Sequence, residues 1–107
     1  MPKYVQPAGS DDAHEPIALL GNLVKTSILR YLRANPGSLI GPICTTLELG
    51  TSTVVPHLNE LVRAGLVLAD PPMTEGETRR GVWVRYTVNN EVVTELYLRL
   101  GLALGEF

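Results

Sequence analysis

Ser52, Pro56, Asn59 and Arg63 recur at helical spacing in the stretch GTSTVVPHLNELVRAGLV, which runs from Gly50 to Val67. At 100° per residue they share one helix face, with Thr51 and Val55 beside them. Small hydroxyls of this kind donate to phosphate oxygens, and an asparagine amide reads the edge of adenine. Val55 and Pro56 offer apolar contact to a thymine methyl. No basic residue precedes Arg63 on this face, so bidentate reading of guanine is not expected from the first turns. Arg79 and Arg80, in the polar run MTEGETRRG, are long enough to reach a minor groove or a phosphate. Arg85, Lys25, Arg30 and Arg33 can add backbone contacts, while Glu75 and Glu77 blunt the charge of the run. The candidate chemistry is recognition of double-stranded DNA by Thr51, Ser52, Val55, Pro56, Asn59, Arg63, Arg79, Arg80 and Arg85. The plain alternative is a solvated helix face and a solvated turn.

Composition narrows the other classes. A chain of 107 residues with 45% hydrophobic content suits one compact domain with a real core. Its formal charge of −2 weighs against a strongly basic nucleic-acid binder. Residues 1–15 mix proline, glycine and polar side chains without periodicity and read as a flexible extension, leaving 16–107 as the folded domain. Setting aside Lys3 and Asp11, Asp12 and Glu15 from the 9 basic and 11 acidic residues leaves 8 of each, so the body is near neutral. Any DNA-facing charge must therefore be local. No apolar run approaches the roughly 18 residues of a membrane span, and the first residues lack the apolar core of a signal peptide. A cytoplasmic protein without membrane contact is expected. Cys44 is the single cysteine and reads as a small buried hydrophobe rather than a ligand or sensor. Neither a metal nor any other cofactor is expected, and no enzyme constellation is present.

The elements that would hold these residues follow from periodicity and punctuation. Pro16 suits a first helical turn, and Gly21-Asn22 marks a break with Asn22 as the next cap. Leu23, Ile28, Leu29 and Leu32 make an apolar stripe, with Lys25, Arg30 and Arg33 off it. Asn35-Pro36-Gly37 ends that helix. A shorter helix from about Gly41 turns Ile43 and Leu47 inward. In the opening stretch Val54, Leu58 and Leu61, at i, i+4 and i+7, define the core face, and Gly65 stops the helix. Pro56 lacks the N–H that would reach the Ser52 carbonyl, so the first turn is expected to bend, or else the regular helix to begin only near Val55. LVLADPP and VWVRYTV are strands flanking a polar turn. Val82, Val84, Tyr86 and Val88 share one face of the second strand; Trp83, Arg85 and Thr87 share the other. NNEVVTELYLRLGLALGEF is a helix capped by Asn89 or Asn90, with Glu95 and Arg99 as an i, i+4 pair.

The order of three helices, two strands and a helix is that of a winged helix-turn-helix, an α+β but mainly helical class. The sequence resembles the ArsR-type family of winged-helix transcriptional regulators, and more distantly the MarR type, from about Leu20 to Leu104. LGNLVKTSILRYL is similar to the opening helix motif of that family. Ser52, Thr53, Val54, His57, Leu58, Leu61, Ala64, Gly65, Leu66 and Val67 match its recognition-helix signature. RRGVWVRYTVN is similar to its second wing strand, with Tyr86 in the aromatic position. The resemblance implies a homodimeric repressor reading a palindromic operator, often released by an effector. Two departures stand out: Pro56 and Val55 where a polar residue is usual, and Glu48 where the inter-helix turn commonly holds glycine. His57 falls at a family position that serves packing or capping more often than ligation.

The last helix points to a partner. Its apolar residues cover more than the roughly 100° face a helix needs against its own domain. Val93, Leu96, Tyr97, Leu100 and Leu104, together with Ile17 and Leu20, are the expected dimerisation residues. The expectation is thus a DNA-binding homodimer that regulates transcription, with no effector identified. A phage- or plasmid-type architectural or partition protein would use the same parts. A winged-helix module that binds protein and not DNA is the alternative from another class.

Overall fold

The computed structural model describes residues 11–72 and 83–106, with side chains from His14 onward. These residues form α1 (Asp11–Leu20), α2 (Leu23–Ala34), α3 (Ile40–Leu47), α4 (Thr51–Arg63), β1 (Val67–Asp70), β2 (Arg85–Val88) and α5 (Asn90–Ala103). The architecture is α+β and mainly helical, with one two-stranded antiparallel sheet. No helix among the described residues is long and apolar enough to cross a membrane.

The chain becomes helical earlier than its composition suggests. α1 begins at Asp11, so residues 11–15 belong to a helix and not to an extension, and Pro16 lies inside it instead of in its first turn. Proline at that depth removes one backbone bond. Pro16 is fully buried where α1 packs on α5 and α2, and that packing offsets the loss.

Asn22 caps α2, its Oδ1 accepting from the Lys25 amide at 3.0 Å. The buried positions of α2 are Lys25, Ile28, Leu29 and Leu32, spaced i, i+3, i+4 and i+7. Leu23 is out of phase with them and lies exposed, contrary to its place in the expected stripe. Lys25 takes the position on that face instead.

α3 and α4 are joined by a tight turn. Glu48 adopts a left-handed conformation with φ of 55°, and the amides of Glu48 and Leu49 donate to the carbonyls of Thr45 and Cys44 at 3.3 and 3.0 Å. This paired bonding closes the end of α3. Among the described residues Glu48 alone takes positive φ without being glycine. α4 then runs from Thr51 through Pro56 to Arg63 without a shortened start, its first amides bonding to the Gly50 carbonyl. Val54, Leu58 and Leu61 are fully buried, as their spacing predicts. Gly65, with φ of 86°, lets the chain reverse so that the Leu66 amide reaches the Leu61 carbonyl at 2.9 Å.

The sheet pairs Val67 with Val88 and Asp70 with Arg85. Val84, Tyr86 and Val88 are buried while Trp83 and Arg85 are exposed, matching the predicted alternation; Val82 lies outside the described residues. Ser38 adds a bridge on the other side of β2, exchanging backbone bonds with Tyr86 at 2.9 and 3.1 Å. The loop after α2 is thereby tied to the sheet. Asn89 precedes α5 without a capping side-chain bond, and its amide instead donates to Leu66 at 2.8 Å.

Candidate nucleic-acid interface

α4 is seated by its core face and offers the opposite face outward. Ser52, Pro56 and Arg63 are exposed there, as the helical projection places them, and Thr51 is exposed as well. The missing amide of Pro56 leaves the Ser52 carbonyl without its helical partner at an exposed residue, where water can satisfy it, so the helix continues at modest cost. Thr51, Ser52, Val55, Pro56, Asn59, Glu60 and Arg63 line a concavity of about 530 Å³ among the described residues. The structure therefore brings together six of the nine residues expected to contact DNA.

Two of the six are placed differently from expectation. Val55 and Asn59 are buried, Asn59 to 2% exposure. They are one helical turn apart, on a stripe beside Val54 and Leu58, so the buried surface of α4 is wider than its i, i+4, i+7 core line. An outward-facing Asn59 amide reading adenine is not what this conformation presents. The Asn59 Nδ2 has no hydrogen-bond partner among the described residues, which is an uncommon state for a buried amide.

The expected basic contacts divide in the same way. Arg30 and Arg33 are exposed on α2. Arg85 is exposed on the outer face of β2, where its Nη1 donates to the Gly37 carbonyl at 3.2 Å. Arg79 and Arg80 lie outside the described residues. Lys25, expected as a backbone contact, is withdrawn from the surface with only 6% of its side chain exposed. Its Nζ lies 2.7 Å from Glu60 Oε2 and 3.1 Å from His57 Nδ1. The Lys25 hydrogen bond holds the Glu60 carboxyl below its ordinary value, with partial burial opposing and the charge of Lys25 adding to the effect.

This three-residue cluster is what the sequence reading missed. Its signal was present: Lys25 stands at the first position of an i, i+3, i+4, i+7 series with Ile28, Leu29 and Leu32, and His57 and Glu60 are i, i+3 on α4. What no local pattern could supply is the pairing of these two positions, 32 residues apart from Lys25 to His57.

The α1–α5 side shows a second expected surface. Leu96 is buried to 2% within the protomer, so its expected place at a dimer contact gives way to a core role. Leu20, Val93 and Leu100 are half-buried. Ile17, Tyr97 and Leu104 are exposed, Tyr97 at 63% and Leu104 at 70%, with Leu98 and Leu102 exposed alongside. Arg99, expected to pair with Glu95, instead reaches Glu15 of α1 at 3.5 Å. No model of a known protein family and no curated protein matches the chain.

Proposed function

We propose that the protein is a winged helix-turn-helix DNA-binding regulator that acts as a cytoplasmic homodimer, with α4 as its recognition helix. The observation that carries this reading is the α3–α4 junction. Two helices are joined by a three-residue turn whose first residue, Glu48, holds the left-handed conformation that the family commonly gives to glycine. Thr51, Ser52, Pro56 and Arg63 then stand exposed on α4, and Arg85 on the outer face of β2. With Asn59 buried, hydroxyl and arginine contacts to phosphate, together with shape, supply more of the binding than base-edge hydrogen bonds.

The dimer rests on the α1–α5 side. Ile17, Tyr97, Leu102 and Leu104 are large apolar side chains left exposed by a small domain. Apolar patches of this kind mark association surfaces.

A second reading, a winged-helix module that binds protein, is favoured by one specific observation. Lys25 is withdrawn from the face that would meet DNA, and Val55 and Asn59, although they line its concavity, are buried. Selection from a randomised duplex pool at several salt concentrations separates these readings. An enriched palindrome is the expected result and establishes a sequence-reading dimer. Weak binding without enrichment, lost steeply with salt, supports an architectural role. No binding at low salt overturns the DNA reading and leaves the protein-binding module.

A further inference from the structure

Lys25 is the one buried cation of the described core. Taking an ammonium out of water is tolerated only when its donors find acceptors. One donor goes to Glu60 Oε2 at 2.7 Å and another to His57 Nδ1 at 3.1 Å. An ammonium has donors and no acceptor, so this second contact requires a lone pair on Nδ1. The ring must then be neutral with its hydrogen on Nε2. A second proton would turn Nδ1 into a donor facing a donor, and would set a second positive charge against a buried one.

The one compensating charge within reach is already in use. On α4 itself Glu60, which a charged His57 would also attract, is engaged by Lys25 through Oε2, and Arg63 is a like charge. α2 supplies Lys25. Cys44 on α3 and Asp70 on β1, the ionisable residues of the other elements packed on α4, make no hydrogen bond or ion pair with the ring.

We propose that Lys25 is a positioning residue that clamps α4 to α2, and that proton uptake at Nδ1 of His57 loosens this clamp. The proton comes from solvent, the Lys25–His57 hydrogen bond is lost, and the Lys25–Glu60 pair remains as the single tie. The switch concerns the seating of α4, so it can be tested whether or not α4 meets DNA.

Histidine is the side chain that ordinarily changes charge between about pH 5 and 8. The test is thermal unfolding of the full chain across that range for the wild type and His57→Gln, whose side chain takes up no proton there. The other histidine of the chain, His14, is exposed on α1 and is retained in both proteins. As pH falls from 8 to 5.5, the wild-type Tm is expected to drop by roughly 5 °C more than that of the variant, the response of a domain this size to losing one such interaction. Superimposable profiles overturn the proposal. Imidazole nitrogen NMR of the wild type reads the same point without relying on a variant. An unprotonated Nδ1 at pH 8 supports the clamp, and a proton on Nδ1 at that pH overturns it. In duplex binding at constant salt, loss of affinity on acidification in the wild type relative to His57→Gln extends the switch to DNA. Absence of DNA binding in both proteins removes the recognition-helix reading and leaves the unfolding result to decide the clamp.

Discussion

α4 and α5 are helices of similar length, 13 and 14 residues, and both carry abundant leucine and valine. α4 buries Val54, Val55, Leu58, Asn59 and Leu61, and is held to α2 by a buried ammonium. α5 buries only Leu96 and Gly101, and leaves Tyr97, Leu98, Leu102 and Leu104 exposed. The helix proposed to face DNA is thus fully positioned by its own protomer, whereas the helix proposed to face a partner leaves its apolar surface unspent. This is the division a DNA-binding dimer needs. A reading helix must be rigid before it meets its ligand, and an association helix must keep apolar area for the second copy.

The contrast breaks most visibly when leucines are altered on the two helices. Leu58→Ala empties a fully enclosed site and is expected to destabilise the fold by about 2–5 kcal/mol in denaturant unfolding. A loss below about 1 kcal/mol would mean that α4 is not anchored as described. Leu102→Glu, on exposed surface, should leave the protomer folded and weaken self-association at least about tenfold, or ~1.4 kcal/mol, as read by sedimentation velocity. An unchanged sedimentation profile would remove that face from the dimer.

These two helices also show where the sequence was readable. The line Val54, Leu58, Leu61 and the alternation of Val84, Tyr86 and Val88 are regular periods, and the structure follows them. α1 was not readable from residue 11, because Pro16 and its polar neighbours mask a helix stabilised by packing on α5. Lys25 was misplaced because a charged residue was taken off the stripe by type, although its phase put it on the stripe with Ile28 and Leu29. Burial of Val55 and Asn59 was missed for the converse reason. A single-stripe projection assumes a narrow packed face, and the buried arc of α4 is wider than that. Whether a surface reads DNA is written in neither periodicity nor phase.

The turn before α4 tests whether that helix is pre-positioned. Glu48 holds φ of 55°, where a side chain carries a steric cost that glycine does not. Glu48→Gly is expected to stabilise the fold by about 0.5–1 kcal/mol, the steric relief being partly cancelled by the greater freedom of glycine in the unfolded chain. A loss of stability would show that the Glu48 side chain contributes more than its conformation costs.

The smallest effect separates an ion pair of each helix with a neighbouring element. Arg99 and Glu15 join α5 to α1 at 3.5 Å with both side chains exposed, a geometry that solvent screens. Lys25 and Glu60 join α2 to α4 at 2.7 Å with the lysine buried, although the glutamate remains 55% exposed. Glu60 titrates below its ordinary value of 4.5 chiefly because of the Lys25 hydrogen bond. A carboxyl lowered in the folded state contributes stability that is present above its unfolded value and is lost as pH falls through the folded one. The stability difference between wild type and Glu60→Gln should therefore shrink as pH falls below 4.5. Its size is held down by the exposure of Glu60. A difference that stays constant through pH 3 would mean that the Lys25–Glu60 bond does not favour the charged carboxylate in the folded protein.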